Sequence, residues 1–104
     1  MLIGSVMTLD IDQFRQSISA AAAPADLSAP LRALWHDGKG DWTRAHETVQ
    51  AEESAEAAWV HAYLHRKEGD LGNADYWYRR AKRKRSTASL EQEWQEIAAA
   101  LLAK

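Results

Sequence analysis

Gly40-Asp41-Trp42-Thr43-Arg44-Ala45 is answered 29 residues later by Gly69-Asp70-Leu71-Gly72-Asn73-Ala74, and these two stretches decide the fold. Both read GDxxxA, and the register continues outward: His36 aligns with His65, Leu34 with Tyr63 and Val49 with Tyr78. A matched turn followed by a small residue marks a repeated helix hairpin. Outward from each turn the chain is rich in helix formers. Alanine occurs 20 times, and no period-2 run of β-branched residues makes a strand.

Cap residues divide the chain into six helices. The first is expected over about 10–22, carrying Ile11, Phe14 and Ile18 and fading before Pro24. Ser28 caps the second, with Pro30 just inside it, where a missing N–H does no harm. That helix ends at Asp37-Gly38-Lys39-Gly40, where glycine supplies a left-handed stop. Asp41 caps a third running to about Gln50, and Ser54 a fourth ending at Glu68-Gly69. A fifth starts at Asp70 or Asn73, and the last runs from about Ser89 with Leu90, Trp94, Ile97 and Leu101 on one stripe. The expected architecture is therefore one all-α domain over 1–104. It has antiparallel hairpins at about 28–51 and 54–85, with flanking helices at about 10–22 and 89–103.

Composition narrows the function classes. The chain has 104 residues, 46% apolar and 27% charged, which suits one packed domain and argues against wholesale disorder. No cysteine is present, so disulfides, thiolate zinc sites and a cysteine nucleophile are excluded. Met1–Met7 lacks the basic region of a signal peptide and is too short to span a bilayer, which points to the cytoplasm and away from membranes. Net charge is −2, but positions 79–85 hold six of the 13 basic residues. The remaining seven face 15 acidic residues, so the rest of the chain carries −8.

The second hairpin, Trp59 to Ala81, resembles a tetratricopeptide repeat. That family places a small residue in its first helix, Gly at the turn, Ala early in the second helix, an aromatic four later and Ala three after that. Here those roles fall on Ala62, Gly69, Ala74, Tyr78 and Ala81. The first hairpin supplies Ala33, Gly40 and Ala45, but has Val49 and Glu52 where an aromatic and a small residue are usual. The spacing of 29 is also shorter than the usual ~34. The chain is similar, too, to small bacterial proteins of unassigned function that carry GDWxxAH and HRKEGDxxNAxYWYRRA. The repeat resemblance covers about 28–85 and implies stacked hairpins with a concave wall carrying Trp59, Tyr63, Arg66 and Lys67. Aromatic and cationic side chains together suit a peptide segment or its carboxylate terminus.

Two further groups of residues carry chemistry. His61 and His65 lie four apart on one helix, and His46 or Glu47 on the neighbouring helix can supply a third metal ligand. The intervening Ala62, Tyr63 and Leu64 lack the glutamate of an HExxH motif, and satisfied hydrogen-bonded histidines are the ordinary alternative. Arg79, Arg80, Lys82, Arg83, Lys84 and Arg85 suit a phosphate backbone. They also suit a helix C-terminus, solvent, or a self-contact with Glu91, Glu93 and Glu96, and the acidic remainder makes a nucleic-acid partner the less expected one.

Glu47, Glu68, Asp70 and Asp75 lie near histidines and permit acid–base chemistry, although Asp41 and Asp70 serve as caps. No phosphate loop, nucleophile elbow or complete metalloprotease motif appears, and nothing in the chain names a cofactor. Five Trp and three Tyr are rich for this length. The adjacent Tyr76-Trp77-Tyr78 cannot all face one way, so at least one ring reaches a surface or groove. Core positions are expected for Trp77 and Tyr78, with Tyr63 and Tyr76 open. The expected function is a protein- or peptide-binding module in which exposed aromatics serve a groove or a homodimer interface. A small His-cluster metalloprotein or enzyme stands second, and polyanion contact through 79–85 third.

Overall fold

The computed structural model describes residues 9–104; the start of the chain, Met1–Met7, lies outside the described residues. Six α-helices and no strand make up the described chain: α1 (Ile11–Ser17), α2 (Ala29–Gly38), α3 (Trp42–Gln50), α4 (Ala55–Lys67), α5 (Leu71–Arg80) and α6 (Leu90–Leu102). Local hydrogen bonds set most boundaries. Ser28, Asp41, Ser54, Asp70 and Ser89 each accept from the backbone N–H three residues on, relieving one orphan donor at each helix start.

The repeated turns close in the same way. Gly40 and Gly69 sit at φ 86° and 88°. Gly40 N–H donates to Asp37 O and Asp41 N–H to His36 O, while Gly69 and Asp70 donate to Arg66 O and His65 O. These are paired Schellman closures. A third closure ends α5, with Lys82 and Arg83 N–H donating to Arg79 O and Tyr78 O. Its left-handed position is held by Lys82, at φ 61°, in place of glycine.

The first helix is shorter than its sequence implies. It stops at Ser17, and Ile18, Ser19 and Ala20 continue only through i→i−3 bonds. Tertiary donors fix the chain here: the Trp35 indole donates to Ser17 O, which a longer helix would offer to Ala21, and Lys39 Nζ donates to Ala20 O. Alanine-rich propensity loses to those contacts.

Helices α2/α3 and α4/α5 form the two hairpins, and α3 packs on α4. Helix α6 packs on α2 and α4, and α1 lies on α6. Ala33, Ala45, Ala62 and Ala74 are fully buried and let helix backbones approach. Two more indoles tie the layers, Trp42 donating to Leu64 O at 2.8 Å and Trp94 to Leu34 O at 3.0 Å. Phe14 stacks on Trp94 and plants α1 in the core. No helix among the described residues is long and apolar enough to cross a membrane.

Candidate functional site

The hairpin geometry brings three imidazoles together. One turn of α4 separates His61 from His65 on the face toward α3, and His46 reaches them from α3. Their ring centroids lie 4.7, 4.9 and 5.1 Å apart, and one donor nitrogen from each falls within 4.8 Å of the others. His46 Nε2 and His61 Nε2 face each other at 3.0 Å. Two imidazole nitrogens in that arrangement share one proton, which one ring donates and the other accepts.

The surroundings hold each ring in place. Trp42 stacks on His46 at 4.9 Å, and Trp77 stacks on His61 at 3.9 Å. His65 Nδ1 lies 2.6 Å from Glu68 Oε1. An ionised carboxylate only accepts, so that nitrogen carries the proton and leaves Nε2 of a neutral ring free to ligate. His61 and His65 are buried, and His46 is half-buried. Burial and the neighbouring histidines push the His61 pKa down to about 4, and burial lowers that of His46 as well. Neutral imidazoles are the metal-binding form. Glu47, the other ligand expected from α3, is exposed and outside the cluster, and His36 sits apart against Trp35.

The four residues expected on a concave wall have internal partners. Tyr63 is buried, and its hydroxyl donates to Asp37 Oδ2 at 2.8 Å while Lys67 Nζ donates to Asp37 Oδ1 at 2.8 Å. Arg66 donates to Glu93 Oε1 at 2.7 Å and to Ala88 O, and the Tyr78 hydroxyl donates to Glu93 Oε2 at 2.6 Å. Trp59 is 9% exposed beneath the Arg83 guanidinium, which sits 3.3 Å from its ring. Burial and the partner carboxylates raise the pKa of both Tyr63 and Tyr78. Only Lys67 keeps substantial exposure, beside a cleft of about 410 Å³ bounded by Arg15, Ile18 and Trp94. Helix α6 packs over the face of α4 that the repeat register leaves open, and α1 lies across the cleft from Lys67.

The anchoring acids were not among the residues singled out in the sequence as core. Their signal was present: Asp37 follows Pro30, Ala33 and Leu34 at helical spacing, and Glu93 lies among Leu90, Trp94 and Ile97. An acid on an apolar stripe marks a buried acceptor. Asp37 and Glu93 are 4% and 1% exposed, and among the described residues no buried side-chain polar atom lacks a partner.

The basic run is exposed throughout. Arg85 pairs with Asp75 through two hydrogen bonds of 2.8 and 2.9 Å. The expected contact with the acids of α6 is not made among the described residues: Glu91 pairs with Arg15, Glu93 with Arg66, and Glu96 with none of the six cations. Tyr78 is core, Trp77 is half-buried and Tyr76 is 46% exposed. Compared with models of known families, with curated proteins and with solved structures, the chain matches none.

Proposed function

We propose that this is a helical metal-binding protein in which His46, His61 and His65 hold one divalent transition-metal ion. The observation that carries the reading is the convergence of three imidazole donors, with His65 oriented by a carboxylate. Ligands bound tetrahedrally at ~2.0–2.1 Å lie about 3.3 Å apart, so the 3.0 Å pair needs only a slight opening. The most distant donors have to close by at most about 1.5 Å. Imidazole nitrogen without thiolate favours zinc, copper(II), nickel or cobalt over calcium or magnesium. The ion replaces the proton shared by His46 and His61, and Glu68 supplies the outer hydrogen bond that histidine ligands commonly make. The peptide-binding expectation has less support, since Tyr63, Arg66 and Trp59 are engaged within the fold.

The test is titration of tag-free, chelator-stripped protein with Zn²⁺ and Co²⁺ by calorimetry and visible absorption. One ion per chain, with a cobalt spectrum of nitrogen ligation lost in folded His46→Ala and His61→Ala, supports the site. Absence of stoichiometric uptake at micromolar metal, or uptake unchanged in both variants, overturns it.

A further inference from the structure

The basic run has a feature that self-neutralisation does not explain. All six cations are exposed, and among the described residues only Arg85 has an acidic partner. Of the acids of α6 that the sequence offered as counter-charges, Glu91 pairs with Arg15 and Glu93 with Arg66, and Glu96 makes no ion pair with the run among the described residues. Positive charge therefore stays concentrated at the C-terminal end of α5, on a chain whose remainder is acidic.

The turn itself favours charge over stability. Three Schellman closures occur among the described residues, and two place glycine at the left-handed position. The third places Lys82 there, although an L side chain is strained in that conformation. The substitution adds an ammonium group at the tip of the basic turn. Arg83 lies flat on Trp59, leaving Arg79, Lys82 and Lys84 without an acidic or aromatic partner among the described residues.

Beside these cations stands an aromatic platform. Tyr76 and Leu71 are the only large apolar side chains exposed among the described residues. The Arg80 guanidinium lies 5.7 Å from the Tyr76 ring and 5.2 Å from the Trp77 ring, and it donates to the Tyr76 hydroxyl. Tyr76, Arg79 and Arg80 follow one another at helical spacing on α5. An exposed ring flanked by guanidinium groups offers a stacking face for an unpaired base, while neighbouring cations meet phosphates. Duplex DNA keeps its bases stacked and uses only the charge, an acidic peptide has no need of the ring, and a membrane needs more inserted apolar surface.

We propose that the C-terminal end of α5, carrying Tyr76, Arg79 and Arg80, together with Lys82 and Lys84 of the turn that follows it, binds single-stranded nucleic acid. Tyr76 stacks with a base, and the cations contact consecutive phosphates. Trp77 lies between this surface and the histidine cluster, stacking on His61 and sitting under Arg80, but none of the nucleic-acid-binding residues is a histidine, so binding does not require metal.

The probes are fluorescein-labelled dT20 and U20, read by anisotropy from 50 to 300 mM NaCl on the full chain with and without chelator. A duplex of equal length, polyglutamate and anionic phosphatidylserine vesicles serve as comparisons. The expected result is saturable binding of the single strands with a log–log salt slope of about −2 to −3, from three or four phosphate contacts. Tyr76→Ala weakens it about tenfold. Arg79→Ala/Lys82→Gly/Lys84→Ala flattens the slope while circular dichroism stays unchanged, since all three side chains are exposed. Lys82→Gly also preserves the turn. Preference between dT20 and U20 distinguishes DNA from RNA as the source of the strand. No binding at 50 mM NaCl overturns the proposal. Equal or tighter binding of the duplex, the vesicles or polyglutamate, or no effect of Tyr76→Ala, overturns it too.

Discussion

Replacing Arg66 by methionine removes a guanidinium of comparable length while leaving the packing volume largely filled. Glu93, 1% exposed, then keeps only the Tyr78 hydroxyl as a donor, and Ala88 O loses its side-chain partner. Breaking one side of a buried ion pair costs about 3–5 kcal/mol, because the surviving charge is left desolvated. That is about a fifth or more of the ~5–15 kcal/mol stability of a typical domain, and it lowers the melting temperature on the order of 20 °C. Arg66→Met/Glu93→Gln removes the stranded charge and keeps an acceptor for Tyr78, so most of the loss is recovered, to within about 1–2 kcal/mol of the parent. Urea denaturation followed by circular dichroism at 222 nm measures all three proteins on one scale. A loss below about 1 kcal/mol for Arg66→Met, or additive losses in the double variant, refutes the view of this pair as a buried anchor. Such a result would return Arg66 to the solvent-facing recognition role that the repeat register assigns it.

Three other expectations follow from the same structure. Because the folded-state pKa of His61 lies near 4, below the ~6.5 of an unfolded histidine, the unfolded chain takes up its proton first. Metal-free protein should thus lose about 2–3 kcal/mol as pH falls from 6.5 to 4, with His61→Gln flattening that part of a urea-stability profile. Lys82→Gly should raise stability by about 0.5–1 kcal/mol by relieving the left-handed strain, whereas Gly69→Ala should lower it by about 1–2 kcal/mol; thermal melts would show opposite shifts. Glu68→Gln should weaken zinc affinity about 10- to 100-fold without changing stoichiometry, and equal calorimetric affinities would remove Glu68 from the outer shell.

Helix starts and hairpin turns were legible in the sequence because each depends on neighbours three to six residues away. Ser28, Asp41, Ser54, Asp70 and Ser89 cap where composition and spacing placed them, and Gly40 and Gly69 close their turns through backbone bonds alone. The three histidines were legible as a group, since the hairpin register sets α3 beside α4. Their orientation was not: Trp42 and Trp77 hold His46 and His61 from different helices, and Glu68 turns His65 from the helix cap.

The sequence by itself determined an all-helical chain with two matched turns, a concentrated basic run and a close histidine pair, because periodicity, caps and glycine act within a few residues. Only the tertiary structure decided where α1 ends, which acids are buried, and whether Tyr63, Arg66 and Lys67 face a ligand or the fold. Those outcomes depend on donors and carboxylates that lie 18 to 30 residues apart in the chain, as in Trp35–Ser17, Tyr63–Asp37, Arg66–Glu93 and Lys67–Asp37. A buried polar group takes whichever partner the packed helices bring to it, because leaving it unpaired costs more than local propensity can offset.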